Sequence, residues 1–155
     1  MKISIKNFQN KIPIRPRMVT KVILNTLSQG RVKKSGELTI CFVNDTKIKE
    51  LNWRYLKRKE PTDVIAFDIG DPVDENRIFA DIIVSGDRAV ANAKIFHTNA
   101  FYELYLYLIH GLLHISGYND KTPRQRQLMQ KKENKILKRL LIKAKTKCLS
   151  TKAKQ

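Results

Sequence analysis

Residues 105–120 read YLYLIHGLLHISGYND and contain the features that most constrain the architecture of this 155-residue chain. They continue a segment, from Asn99 to Ser116, that is apolar on nearly every side. A helix of this kind has to lie in the interior of a domain. Its most apolar run, residues 105–115, is too short to span a bilayer and contains two histidines, which argues against a membrane helix. We therefore predict a central, buried helix that is broken at Gly117.

The segments around this helix predict a single α+β domain over residues 1–144. Apolar and alternating runs indicate strands, and apolar residues at helical spacing after a cap or a proline indicate helices. One mixed, four-stranded sheet covered by about five helices accommodates this order of elements. The polar, basic residues 145–155 indicate a disordered tail. The predicted strands are residues 3–8, 37–44, 63–68 and 77–85, with the last two paired, and the further helices begin near residues 17, 45, 86 and 123.

The charge of the chain points to a polyanionic partner. Its 31 Lys and Arg against 14 Asp and Glu give a net charge of +17. Residues 121–155 alone carry 13 basic side chains and one acidic one. Nucleic acid is the partner that best fits such a basic arm, although a membrane surface attracts the same charge. The N-terminus has no apolar signal-peptide core, so we expect a cytoplasmic protein that does not insert into membranes. Two distant cysteines exclude a disulfide scaffold.

The two histidines of the central helix are spaced as metal ligands. His110 and His114 lie four residues apart and therefore share one helix face. The break at Gly117 lets the chain turn so that Asp120 approaches the same point. Two imidazoles and a carboxylate, with one position left for water, are the ligand set of a catalytic metal site. These donors suit Zn²⁺, with Mn²⁺ or Ni²⁺ as alternatives. A hydrogen-bonded pair of core histidines remains the alternative reading.

The spacing also overlaps the zincin pattern H-E-x-x-H-x-x-G-x-x-H of zinc metallopeptidases, with Gly117 in its glycine position. In that pattern the glutamate after the first histidine is the general base. Gly111 occupies this position and has no side chain that can accept a proton. A zincin-like helix is therefore expected, whereas peptidase activity is disfavoured.

Several motifs resemble the YbeY family of bacterial rRNA maturation factors. The clearest is HGLLHISGYND from His110 to Asp120. The others are Leu51-Asn52-x-x-Tyr55, the segment PTDVIAF at residues 61–67 and the strand DIIVS at residues 81–85. In order and spacing, the resemblance extends from about residue 3 to residue 141.

This resemblance implies a metal-dependent, single-strand-specific endoribonuclease that acts in rRNA maturation, including processing of the 16S rRNA 3′ end, and in ribosome quality control. The zinc ligands of the family fall on His110, His114 and Asp120. The implied partners are single-stranded rRNA, the small ribosomal subunit and its assembly factors. A ribosome-binding protein whose metal only stabilises the fold is the alternative.

Two departures from the family pattern bear on the proposed site, beside smaller ones at Ala66 and Ala80. The third ligand is usually a histidine, and here it is Asp120. Leu56 stands where the family has an arginine that is thought to bind RNA phosphate. Arg54 and Arg58, two residues to either side, are candidate substitutes. The candidates for holding the RNA backbone are Arg54, Lys57, Arg58 and Lys59, and the candidate general bases are the strand carboxylates Asp63 and Asp81.

Overall fold

The computed structural model describes the backbone of residues 1–29, 35–70, 74 and 77–152 and the side chains up to residue 140. Within these ranges the chain forms four strands and five helices. In chain order they are β1 (Lys2–Asn7), α1 (Pro16–Leu27), β2 (Ser35–Val43), α2 (Asp45–Leu56), β3 (Val64–Asp68), β4 (Arg77–Ser85), α3 (Gly86–Phe96), α4 (Ala100–Ile115) and α5 (Pro123–Lys152).

The sheet is mixed and has the strand order β1-β2-β4-β3. The first three strands in this order run parallel, and β3 pairs antiparallel with β4 in a register that places Ile65 opposite Ile83. The predicted pairing of the third and fourth strands and the α+β class are therefore confirmed. One consequence is that β3 forms an edge of the sheet.

Two separate clusters of buried side chains cover the two faces of the sheet. Ile82 and Val84 of β4 belong to the larger cluster, to which α1, α3, α4 and α5 contribute. Ile83 and Ile65 belong to the smaller cluster, which α2 covers with Ile48. Because successive strand residues point to opposite faces, α2 and α4 lie on opposite sides of the sheet.

Helix α4 is the central helix that the sequence predicts. Asn99 caps it by accepting a hydrogen bond from the backbone N–H of Phe101. Gly111 lets the helix pack closely on the sheet, since a Cβ at this position would lie 3.0 Å from Ile82 and 3.1 Å from Val64. Gly111, which stands where the metallopeptidase pattern has its glutamate, thus has a packing role.

Two boundaries differ from the sequence-based prediction. Helix α2 ends at Leu56, not at Pro61, because Lys57 adopts a left-handed conformation with φ of 57° and caps the helix. Helix α5 extends to Lys152, into the tail that we expected to be disordered from residue 145. No glycine or proline follows Pro123 to end it. Gly30, residues 71–73 and 75–76 of the predicted turn, and residues 153–155 lie outside the described residues.

No helix in the described part of the chain combines the length and the apolar character needed to cross a bilayer.

Candidate metal centre

Three side chains converge at the C-terminal end of α4. One ligand atom each of His110, His114 and Asp120 lies within 4.8 Å of the others. The two histidine Nε2 atoms are 3.0 Å apart. Oδ2 of Asp120 lies 3.7 Å from Nε2 of His110 and 3.6 Å from Nε2 of His114. The grouping expected from the sequence is therefore present in the folded chain.

The turn after α4 brings Asp120 to the histidines. Gly117 has a φ of +90°, which an L side chain rarely adopts, and its N–H donates to the carbonyl of His114. The side chain of Arg126, from the first turns of α5, donates to the carbonyls of Asp120 and Lys121 at 3.0 and 3.1 Å. The loop that carries the carboxylate is thus fixed at both of its ends.

Each imidazole is oriented through its Nδ1 atom. His110 Nδ1 lies 2.7 Å from Oε1 of Glu133, a buried carboxylate on α5. His114 Nδ1 lies 3.1 Å from the backbone carbonyl of Tyr118. A carboxylate and a carbonyl only accept hydrogen bonds, so both Nδ1 atoms carry the proton and donate. Metal-binding histidines usually donate their other ring N–H to a carboxylate or a carbonyl in this way, which fixes the orientation of the ring.

The donor set fits a divalent ion. With each Nδ1 donating, the two Nε2 atoms, 3.0 Å apart, are left as possible ligands for one cation. Tetrahedral zinc with N ligands at about 2.0–2.1 Å separates its ligand atoms by about 3.3 Å. The three observed separations, 3.0, 3.6 and 3.7 Å, bracket this value.

The three side chains line a cavity of about 390 Å³. Thr62 and Asp63, just before β3, also line it, as do Arg126 and Gln130 of α5. Gly111 of α4 and Val64 of β3 belong to the same lining. The cavity combines a carboxylate, a fixed positive charge and the candidate ligands, which is what a site for a phosphodiester requires.

Of the two candidate general bases, Asp63 is the one that lines this cavity. Burial raises its pKa, an effect that the nearby Arg88 charge reduces and the nearby Glu103 carboxylate adds to. Asn92 lies within 3.4 Å of its Oδ1 and within 2.6 Å of the hydroxyl of Tyr107. Asp63 is therefore a half-buried group held by a short polar network.

Asp81, the other candidate base, points away from the site. Its neighbour Ile82 faces Gly111 of α4, and consecutive strand residues alternate between faces. Asp81 instead acts on the pKa of Cys41, on the side of the sheet that α2 covers. It is thus excluded from the cavity by the register of β4.

Two further polar residues of the motif shape the turn. Ser116 donates its hydroxyl to the carbonyl of Leu112, and Tyr118 contributes its backbone carbonyl to His114. His97, the third histidine, is exposed and caps the end of α3 in a left-handed conformation. None of the three supplies a further ligand atom to the described cluster.

The basic residues proposed for RNA binding do not line the cavity. They lie at the end of α2 and in the segment that follows, and Arg54 pairs with Glu50 at 3.1 Å. Lys57 and Lys59 approach the ring of Trp53, whereas Arg58 is exposed. In the segment that follows α2, Thr62 is the first residue that lines the cavity.

Sequence reasoning missed Glu133 and Arg126, because their contacts with the site depend on how α5 packs beside α4 and the loop of Asp120. A signal for Glu133 was nevertheless present. It is the single acidic residue among the 13 basic residues of positions 121–155, and a buried carboxylate needs a partner.

Comparison with known proteins agrees with this geometry. The family model described as "Endoribonuclease YbeY" matches residues 4–141. Proteins named endoribonuclease YbeY from Parabacteroides distasonis and Bacteroides fragilis are 41% and 35% identical, covering 68% and 82% of this chain and 72% and 89% of their own length. One from Syntrophus aciditrophicus is 35% identical over 88% of both chains.

A solution structure of a Thermotoga maritima protein is similar in fold, with a TM-score of 0.63 at 21% identity over 94% of this chain and 93% of that one. The family model covers nearly all of the described domain, and the relatives match over most of their length. The chain therefore belongs to the YbeY endoribonuclease family.

Proposed function

We propose that this chain is a metal-dependent endoribonuclease that cleaves single-stranded RNA at the centre formed by His110, His114 and Asp120. The observation that carries the proposal is the grouping of two Nε2 atoms, 3.0 Å apart, with the Asp120 carboxylate in one cavity. Relatives over most of the chain are named endoribonucleases, which supports RNA as the substrate.

A divalent ion bound here supplies Lewis-acid chemistry, which neutralises charge on phosphate oxygens and acidifies water. The chain's own residues do the rest. Glu133 and the carbonyl of Tyr118 hold the two imidazoles in the tautomer that leaves Nε2 free. Asp63 is placed to accept a proton from water or from a ribose 2′-hydroxyl, since a raised pKa makes its carboxylate a better base. Arg126 adds a fixed positive charge to the lining of the cavity.

Zinc is the ion that we propose, with Ni²⁺ or Mn²⁺ as alternatives, because imidazole and carboxylate donors suit all three. The carboxylate of Asp120 adds a negative charge that a third imidazole would not, which favours harder ions than an all-histidine site does.

The biological substrate that we propose is rRNA, with 16S rRNA 3′-end processing and ribosome quality control as the setting. The net charge of +17 supports a polyanionic partner such as rRNA. The small ribosomal subunit and its assembly factors are then the expected partners, and the cytoplasm the expected compartment.

Metal-dependent cleavage of a labelled single-stranded RNA by the purified full chain tests this function. We expect cleavage that stops after chelation, returns with zinc and is absent on a fully paired duplex. His114→Ala should abolish cleavage, whereas His97→Ala, which removes an exposed histidine outside the cavity, should retain it. If zinc raises the Tm of the wild type but no RNA is cleaved, the metal is structural and the alternative, a metal-stabilised ribosome-binding protein, is favoured.

A further inference from the structure

An exposed tryptophan lies among basic side chains at the end of α2. Trp53 is the single tryptophan of the chain, and half of its surface is exposed. Residues 46–59 around it carry six basic side chains and one acidic one. We call Trp53, Lys57 and Lys59 the Trp53 platform. A large aromatic side chain exposed in so basic a segment calls for a ligand that has both a flat apolar surface and negative charge.

The two lysines of the platform converge on the indole ring. The Nζ atoms of Lys57 and Lys59 lie 5.9 and 5.7 Å from its centroid, within the range of cation–π attraction. The left-handed conformation of Lys57 turns the chain back over the helix. Asn52 fixes this turn by donating to the carbonyl of Glu60 at 2.7 Å. The platform is therefore held by the backbone and not by the lysines alone.

The positive charge of the platform is not neutralised by a nearby acid. Glu50 is the one carboxylate of residues 46–59, and it already pairs with Lys47 at 3.0 Å and Arg54 at 3.1 Å. Among the described residues, neither Lys57 nor Lys59 forms an ion pair. The two ammonium groups are thus available for phosphates beside the ring.

We propose that Trp53 stacks on a nucleobase of single-stranded RNA while Lys57 and Lys59 contact the adjacent phosphates, which makes the platform an RNA subsite outside the metal cavity. An aromatic face with flanking cations is the arrangement that binds single strands without sequence preference. This inference rests on the proposed single-stranded RNA substrate. It also gives a physical reason why single-stranded RNA is preferred over a duplex, since a base paired within a duplex is not free to stack on Trp53.

The platform lies close to the cavity along the chain but on the other side of the sheet. Lys59 and Thr62 are three residues apart, and three residues span at most about 11 Å. Thr62 lines the cavity, whereas α2 covers the opposite face of the sheet from α4. The edge strand β3 separates the two places. An RNA strand that occupies both sites therefore passes around this edge, with the scissile phosphate on one side and the stacked base on the other.

Intrinsic fluorescence tests the platform directly, because Trp53 is the single tryptophan. The full chain carrying His114→Ala binds without cutting and is titrated with single-stranded oligoadenylate, a blunt RNA duplex, inorganic polyphosphate and polyglutamate. We expect strong quenching by the oligonucleotide alone. Equal quenching by polyphosphate would show that the Trp53 platform responds to negative charge alone. Equal quenching by polyglutamate would show that it binds acidic proteins. Either result overturns the proposal, as does oligonucleotide binding without quenching.

Substitutions supply the second arm. Trp53→Ala should weaken oligoadenylate binding by about tenfold, whereas Trp53→Phe should retain most of it. Phe8→Ala removes a comparably exposed aromatic ring next to β1, at the far edge of the sheet, and should leave affinity unchanged. Lys57→Gln and Lys59→Gln should each flatten the salt dependence of log K by about 0.7. If Trp53→Ala binds oligoadenylate with the same affinity as Phe8→Ala does, the proposed RNA subsite at Trp53 is wrong.

The two proposals fail separately. Quenching by oligoadenylate in a wild-type protein that cleaves no RNA would keep the platform and remove the nuclease function. Cleavage of single-stranded RNA without any change in Trp53 fluorescence would keep the nuclease function and reject the platform.

Discussion

The Nδ1 atom of His110 lies 2.7 Å from Oε1 of Glu133, so a buried carboxylate of α5 holds a candidate metal ligand of α4. The contact joins residues 23 positions apart in sequence. A carboxylate behind an imidazole fixes the ring and strengthens its Nε2 as a donor to metal. Glu133 is therefore a positioning residue whose loss should act through the metal.

Glu133→Ala should lower zinc affinity by about 10- to 100-fold, the usual cost of losing such a partner. Glu133→Gln keeps an oxygen that can accept from His110 and should lose less. Competition with a chromophoric chelator measures the affinity, and Glu50→Gln, an exposed carboxylate outside the cavity, is the matched control. Equal zinc affinity in Glu133→Ala and wild type would show that the contact is only structural.

Asp120 is the proposed third metal ligand. We expect Asp120→Ala to lose most zinc affinity, Asp120→Asn to be intermediate and Asp120→His to bind well, since imidazole is also a zinc ligand. Isothermal titration with zinc measures all three, with Glu37→Ala as a control that removes an exposed carboxylate paired with Lys2. If Asp120→Ala binds zinc as tightly as wild type, Asp120 is a loop residue and two protein ligands remain.

The sequence predicts the local part of this site and misses the non-local part. His110, His114 and Asp120 are found because helix periodicity and the break at Gly117 bring neighbours in sequence together. Glu133 reaches the site only through the packing of α5 on α4, which depends on the whole core.

The end of α2 was missed for a different reason. Pro61 is a strong signal for the end of a helix, but Lys57 ends it earlier by adopting a left-handed conformation that few residues other than glycine adopt. The direction of the following basic residues, and hence the platform at Trp53, depends on this one backbone conformation. Residue type alone does not reveal it.

Gly111→Glu restores the glutamate of the metallopeptidase pattern and should nevertheless give no peptidase. Even a Cβ would lie 3.0 Å from Ile82 and 3.1 Å from Val64, and a buried carboxylate adds a cost of desolvation. We expect a loss of more than about 2 kcal/mol in the free energy of unfolding, measured with denaturant. Gly111→Ala should lose less, because alanine regains about 1 kcal/mol of helix propensity. A stable Gly111→Glu protein that digests casein would contradict the packing role of Gly111.

Asp63 should make the stability of the metal-free protein depend on pH. Burial raises the pKa of this carboxyl, so its ionised form destabilises the fold above that pKa and the effect disappears as the pH falls below the unfolded value. Arg88 and His110 oppose this shift, whereas Glu103 adds to it. Asp63→Asn should therefore raise the Tm at pH 8 by a few degrees, a gain that fades towards pH 4.

The same substitution removes the proposed proton acceptor, so RNA cleavage should fall even though the protein is more stable. Thermal scans at several pH values, set beside cleavage rates, separate the two effects. A Tm difference between Asp63→Asn and wild type that does not change with pH would refute the raised pKa.

Single-turnover cleavage of single-stranded RNA, measured as zinc is added back to the metal-stripped full chain, tests whether the three-ligand centre is the site of RNA hydrolysis. The rate should rise linearly and reach its plateau at one zinc ion per chain, and His110→Ala should remain inactive at the same zinc concentrations. Full activity in the metal-stripped protein, or a His110→Ala variant that reaches the wild-type plateau, would contradict the assignment of cleavage to this centre.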